Sequence, residues 1–445
     1  MEQGIRISQC MIVKNEEKNI RRALSWGKDI FWEQVVVDTG STDQTVSIAQ
    51  KMGAKIFHFD WIDHFAAAKN YAIEQAEGDW IVFLDADEYF LPDDAEKLPD
   101  LLANLQDSDS QAVIAGWIQV NKDTDVLQSQ KEGKLEWLQT VRQDGSRGLS
   151  LAGTQIRIFR NQPGIRFQGR IHEKLFAGQK PVSCVDVSQE LSILHTGYCD
   201  EEMKEKKKTE RNIELLKQEL NEHPNDHRML VCLGDSYFQQ KNYQEAAYWY
   251  EKAAACFFDL PGEETIQGTM IYKHLLLIYM DLGDEKAVQN AYKKGTDRFP
   301  KEADYDYLVG RDFALRGYFR EGAAYLQRAL LLLDQYGSES RSALLAHNLL
   351  EAWELLIQCH NENGDLNQCV SCAVTVLKAA PYRIEALKQL LLAFKKEGQA
   401  KKSGTFAAQI KAFLGNFYDF QKEEDRVFVK EAAEAAGYKD LGSSW

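Results

Sequence analysis

"DWIVFLDADE", residues 79–88, decides how the N-terminal half of this chain is read. Trp80 to Leu84 is an unbroken apolar run of strand length, and it ends on Asp85 and Asp87. A short apolar run bounded by polar residues is the mark of a strand covered on both faces. Two carboxylates at the mouth of such a strand are costly unless a cation neutralises them. Residues i and i+2 of an extended chain point to the same side, so Asp85 and Asp87 can face one ion. Carboxylate oxygens select hard cations such as Mg²⁺ or Mn²⁺, which keep places for water and phosphate oxygens. The plainer reading is a pair of acids leading into a helix near Pro92.

Working outward, apolar runs alternate with amphipathic segments. Residues 5–13, 34–37 and 55–59 read as strands, and 16–26, 43–52 and 65–76 as helices. Ser41, Thr42 and Asp43 are candidates to cap the second helix. This alternation predicts βαβ units and a mostly parallel, Rossmann-like α/β sheet. Segments 113–120, 150–160 and 182–194 read as further, antiparallel strands. Ligands of such sheets bind beyond the carboxyl ends of the strands. Asp38, in "VVVDTGSTDQT" (35–45), shares that end with Asp85, and its carboxylate suits the N3–H of a uracil ring. The hydroxyl-rich turn after it brings Ser41 to the same rim. "MIVKNEEKNI" (11–20) and "HFAAAKN" (64–70) add Asn15, Glu16, Lys69 and Asn70. A lysine there suits a diphosphate as a point charge. For Glu16 and Asn70 a local capping role is the alternative.

The chain has 445 residues, is 44% hydrophobic and 11% aromatic, and carries a net charge of −15. That is enough apolar content for two or three cored domains, and the acidic balance argues against a nucleic-acid partner. The N-terminus lacks the pattern of a signal peptide, and no stretch approaches the ~18–20 apolar residues of a membrane span. These features predict a soluble, cytoplasmic protein whose cysteines are free thiols. Cys359, His360, Cys369 and Cys372 have spacings compatible with zinc, but lie on amphipathic helical patterns where cysteine packs as a small apolar residue.

From about residue 223 the pattern becomes helical and repeats. "LVCLGDSYFQQKNYQEAAYWYEKAAACF" (230–257) places Leu233, Gly234, Tyr237, Ala246, Tyr250 and Ala253 as a tetratricopeptide (TPR) unit does. Units beginning near Leu275, Leu308, Ala352 and Ala386 follow. Stacked helical pairs make an all-α solenoid with a concave face suited to a peptide or protein. The predicted organisation is an α/β domain over 1–200, a connecting helix over 201–222, TPR repeats over 223–416, and a C-terminal helix and tail over 417–445.

The N-terminal motifs carry a resemblance. "KNEE", "DTGSTDQT", "AKNYAIEQAEGDWIVFLDADE", "GRIHE" (169–173) and "HTGY" (195–198) resemble family 2 glycosyltransferases of the GT-A fold. With the repeats that follow, the chain is similar to bacterial two-domain enzymes such as the sublancin-type peptide S-glycosyltransferases and some lipopolysaccharide-core sugar transferases. It departs from their pattern at Lys69, where relatives usually carry Arg, and at His64, where many carry Asp. The resemblance implies a UDP-sugar donor (UDP-glucose or UDP-GlcNAc) and an inverting displacement. It places Asn15, Glu16, Asp38, Ser41, Lys69, Asn70, Asp85 and Ala86 around the donor, and a Mg²⁺ or Mn²⁺ ion on Asp87, Asp85 and His195, with His172 second to His195. Glu173 is the implied general base, with His172 the alternative; a structural pairing of Glu173 with Arg170 would count against it. Arg157 and Tyr198 read equally as site neighbours or packing residues.

The leading expectation is transfer of a sugar to a peptide or protein side chain, on Cys or on Ser/Thr. The repeats would bind the acceptor, form a homodimer, or both, and an aromatic pair such as Trp249/Tyr250 would suit a dimer face. A lipid-linked or lipopolysaccharide/oligosaccharide acceptor is the rival within the same chemistry. A non-catalytic TPR scaffold is the rival from another class, and a nucleotidyltransferase lacks the Gly-rich basic loop it would need.

Overall fold

Trp80–Phe83 (β4) is a strand buried at every position, as its composition requires. The computed structural model describes residues 5–90, 92–119, 139–141, 147–149, 152–195, 202–257, 266–337, 342–401 and 406–438. Before β4 come β1 (Ile7–Val13), α1 (Ile20–Ser25), β2 (Glu33–Asp38), α2 (Thr45–Lys51), β3 (Lys55–His58) and α3 (Phe65–Glu74). After it come β5 (Glu88–Phe90), α4 (Pro92–Asn104), β6 (Ala112–Gln119), β7 (Gln139–Val141), β8 (Arg147–Leu149) and β9 (Ala152–Arg160). The hairpin strands β10 (Ile165–Gln168), β11 (Lys174–Ala177) and β12 (Lys180–Pro181) precede β13 (Cys184–Asp186) and β14 (Ser192–His195).

The main sheet runs β3-β2-β1-β4-β9-β6-β14-β5, with β13 also on β6. Its first four strands are parallel, and β9 is antiparallel to both β4 and β6. Residues 182–194, expected as one antiparallel strand, instead form β13 and β14, both parallel to β6. The break is a turn in which Asp186 accepts from the Ser188 N–H at 2.9 Å and the Val187 carbonyl accepts from Glu190 and Leu191. The helix expected from residue 16 starts only at Ile20. Asn15 is left-handed (φ 58) and Glu16 N–H is taken by Thr45 Oγ1, so the backbone there serves a turn.

Within β4 the alternation hidden in the all-apolar run becomes visible. Trp80, Val82 and Leu84 pack with Leu98 and Leu102 of α4, and Ile81 and Phe83 with Ala66, Ala72 and Ile73 of α3. Each large side chain so buried contributes about 1.5–3 kcal/mol, which is what holds the strand's acidic end in place. The helix Glu202–Glu222, expected as a connector, lies in the compact unit Met1–Pro224; its Glu219 accepts from the Arg170 N–H at 2.9 Å.

In the second unit, Asn225–Trp445, every regular element among the described residues is a helix. His227–Gln239 pairs with Tyr243–Phe257, Ile266–Asp281 with Glu285–Arg298, and Ala303–Leu315 with Phe319–Tyr336. Leu349–Asn363 pairs with Leu366–Ala379, followed by Ile384–Lys401, Phe406–Leu414 and Glu423–Ala435. The small residues act as the repeat pattern requires: a Cβ on Gly234 would lie 2.8 Å from the Tyr250 ring. Tyr250 is therefore core and not part of an exposed face, and its hydroxyl donates to Asp235 at 2.5 Å. The exposed neighbour is Tyr248. Cys359, Cys369 and Cys372 are buried free thiols whose pKa values burial raises. No helix among the described residues is long and apolar enough to cross a membrane.

Candidate active site

The turn after β4 carries the two acids. Asp85 N–H donates to Glu88 Oε2 at 3.1 Å and Glu88 N–H to the Asp85 carbonyl at 3.0 Å, closing a tight turn. Ala86 points into the core beside Met11, Val13 and Leu24. Asp85 and Asp87 remain partly open to solvent, their side chains 42% and 25% exposed. Asp85 Oδ2 lies 3.3 Å from Arg157 Nη2 of β9, and Asp87 Oδ2 lies 3.3 Å from His195 Nε2 at the end of β14. The β5–β14 register, which sets His195 opposite Glu88, brings about the second contact. His195 is buried, its ring 4.9 Å from that of Trp117.

Asp85, Asp87 and His195 were expected to share one ion. Among the described residues no three His, Cys, Asp or Glu side chains converge on a common metal position. Arg157 engages Asp85 while His195 engages Asp87, so the trio is not a closed cage. Both carboxylates stay partly exposed, so two hard oxygen donors stand in an acidic field. Burial and the charges of Asp87, Asp85 and Asp43 raise the Glu16 carboxyl above its ordinary range, against the lowering effect of its bond from Asn19. That field and donor set fit a divalent cation that completes its shell with phosphate and water oxygens.

The ends of β1 and β2 are stitched together. Asn15 N–H donates to Ser41 Oγ at 2.9 Å, and Asn15 Oδ1 accepts from Thr42 N–H at 2.8 Å. The two loops thus position one another through side chains expected to touch the donor. Asp38 is buried and accepts from the N–H groups of Gly40 and Ser41 at 3.2 and 3.0 Å. His58 Nδ1 stands 3.5 Å from its Oδ2.

Two donor-side expectations change. Lys69 is 3% exposed and its Nζ sits 2.6 Å from Glu173 Oε1, over the faces of Phe83 and Phe167. A buried ammonium needs an anion, and Glu173 supplies it; Lys69 is therefore a partner of Glu173 where a diphosphate contact was expected. Asn70 Nδ2 donates to the Phe167 carbonyl, and its Oδ1 accepts from the Phe167 N–H, both at 2.9 Å. Its amide thus fastens β10 to α3 where a donor contact was expected. Arg170 pairs with Glu222, not with Glu173, so the feared structural pairing is absent while a different one is present. His172 is exposed and left-handed (φ 51), a conformation that non-glycine residues keep only under constraint. His64 caps α3: its Nδ1 accepts from Ala67 N–H at 3.2 Å. Tyr198 lies outside the described residues.

Sequence reasoning missed Glu88. It is 1% exposed and accepts from Arg157 at 2.7 Å and from Trp117 Nε1 at 3.1 Å. Its signal was adjacency: an acid directly after Asp85–Asp87 in a buried strand requires a cation of its own. Arg157, read as site neighbour or packing residue, is both. Burial works against its charge, but Asp85 and Glu88 outweigh this and raise its pKa further.

Residues 8–163 match the sequence model of glycosyl transferase family 2. The matched stretch includes Asp38, Asp85 and Asp87. A TPR repeat-containing protein of Synechococcus elongatus is 30% identical over 64% of this chain and 65% of its own. The SPbeta prophage-derived glycosyltransferase SunS of Bacillus subtilis is 27% identical over 55% of this chain and 52% of its own. The chain therefore spans between about half and two thirds of the length of these relatives. A solved structure of YrrB, a TPR protein with an unusual peptide-binding site, covers 52% of this chain and 96% of its own, at 14% identity and a TM-score of 0.34.

Proposed function

We propose that the chain is a metal-dependent, inverting glycosyltransferase that moves a sugar from a UDP-sugar to a peptide or protein side chain. The observation that carries this reading is the partly exposed acid pair, Asp85 and Asp87, held at the carboxyl end of β4 in the stretch that matches the family 2 model. Asp38, buried at the end of β2, retains lone pairs for the uracil N3–H, and the Asn15/Ser41 loops frame the nucleotide. Asp87, with Asp85 and His195 beside it, would hold a Mg²⁺ or Mn²⁺ ion, whose Lewis acidity offsets charge on the departing diphosphate. Ala86, its methyl in the core, would meet the donor through its backbone. Glu173 would take the acceptor proton, with Lys69 orienting it; His172 is the alternative base. A cysteine acceptor would ease this demand because a thiol of pKa ~8.5 is partly ionised near neutrality. The second unit would bind the acceptor, mediate homodimerisation, or both.

Hydrolysis of UDP-glucose or UDP-GlcNAc, and transfer to cysteine- or serine-containing peptides, should require Mn²⁺ or Mg²⁺. Both should be lost in Asp87→Ala. Metal-independent turnover would overturn the reading of the acid pair, and transfer to lipid-linked saccharides in preference to peptides would overturn the acceptor assignment. Sedimentation at micromolar concentration tests the dimer.

A further inference from the structure

Glu88 has no route to a substrate of its own, being 1% exposed. The three hydrogen bonds that its carboxylate accepts all lead back to the acid pair. Oε2 accepts from the Asp85 N–H at 3.1 Å and so shapes the turn. Oε1 accepts from Arg157 Nη2 at 2.7 Å, and the same Nη2 reaches Asp85 Oδ2 at 3.3 Å. Oε1 also accepts from Trp117 Nε1 at 3.1 Å. The Trp117 ring lies against His195, with centroids 4.9 Å apart and planes at 30°, and His195 Nε2 meets Asp87 at 3.3 Å. One buried carboxylate thus reaches Asp85 through a guanidinium and Asp87 through an indole and an imidazole.

We infer that Glu88 is a positioning residue for the cation site: it restrains Arg157, and through Trp117 and His195 it orients Asp87. This rests on the proposal that Asp85 and Asp87 take a divalent ion. The physical reason is competition. Arg157 is a permanent cation shared between two carboxylates, and the shorter contact is to Glu88. A neutral side chain at position 88 leaves Asp85 as the remaining anion on that Nη2. The guanidinium then shifts toward Asp85 and contends with the metal for it. Outer-shell partners of metal ligands change metal affinity by about 10–100-fold when mutated.

The test measures binding directly, without turnover. Mn²⁺ is titrated into the full chain in the presence of UDP, and free Mn²⁺ is followed by electron paramagnetic resonance. Four variants are compared with wild type: Asp87→Asn, Glu88→Gln, Glu88→Gln/Arg157→Met and Trp117→Phe. Expected are loss of binding in Asp87→Asn and a fall of about 10–100-fold in Glu88→Gln. Affinity should recover to within about 3-fold of wild type in the double variant, where the competing cation is gone, a return that simple loss of packing would not produce. Trp117→Phe keeps an aromatic ring for His195 but drops the bond to Glu88, so it should weaken Mn²⁺ by less than Glu88→Gln does. If wild type binds no Mn²⁺ with UDP, the proposed function fails. If wild type binds, Asp87→Asn does not, and Glu88→Gln equals wild type, the positioning role alone fails. If Glu88→Gln does not fold, the double and Trp117 variants decide: wild-type affinity in both overturns the Trp117 arm, and a double variant weaker than Trp117→Phe overturns the restraint of Arg157.

Discussion

Lys69→Met isolates the interaction that most alters the reading of the site. Lys69 and Glu173 sit 2.6 Å apart with side chains 4% and 12% exposed. At an effective dielectric of ~20 their attraction is about 6 kcal/mol. Desolvating the two ions costs several kcal/mol each, so against an apolar pair the net is near zero. Removing only the lysine is different, because Glu173 then stays buried without this cation, and such single deletions cost about 3–5 kcal/mol. The expected result is that loss in Lys69→Met, with most of it recovered in Lys69→Met/Glu173→Leu. Hydrogen exchange read by mass spectrometry is the assay, since it reports opening free energies for peptides of α3 and β11 separately from the second unit. A loss below about 1 kcal/mol, or a double variant no better than Lys69→Met, would refute the claim that this pair is an ion pair in a dry setting. It would also remove the basis for Lys69 orienting Glu173.

Three further outcomes follow from the geometry. Burial raises the Glu33 carboxyl, but bonds from Lys55, Ser8 and the Glu77 N–H outweigh it and hold the pKa below its ordinary 4.5. A depressed acid stabilises the fold above its unfolded pKa and loses that contribution as pH falls through the folded value. Glu33→Gln should therefore be less stable than wild type at neutral pH, with the gap closing at acid pH in a melting-temperature series. Gly234→Ala drives a methyl to 2.8 Å from the Tyr250 ring; thermal unfolding should show a loss of about 1–3 kcal/mol, as overpacking does. His64→Ala should cost about 1 kcal/mol through loss of the α3 cap, whereas His64→Asp should retain it, checked by denaturant midpoints.

The legible parts of this chain were local ones. Trp80 to Leu84 shows its strand in composition, and the acids Asp85 and Asp87 follow directly from its end. Asp38 is placed at a strand end by the apolar run before it, and the helical hairpins of the second unit are written in the recurrence of small and aromatic residues. Tyr250 shows the limit of that pattern. Its ring holds a repeat position and yet reads equally as surface, because periodicity does not say which side of a helix the glycine of its partner helix, Gly234, will admit.

Within the site the division is the same. Sequence alone determined the element types, the order of the α/β and helical halves, and which acids stand at strand ends, because these depend on contacts between near neighbours along the chain. Tertiary structure decided what each charge faces: Arg157 meets Asp85 across 72 residues, and Asn70 meets Phe167 across 97. Those partners are chosen by strand order and register, which bring β9 beside β4 and β14 beside β5. A charge buried by the fold must find its counter-charge wherever the fold has brought one, and no local period records that address.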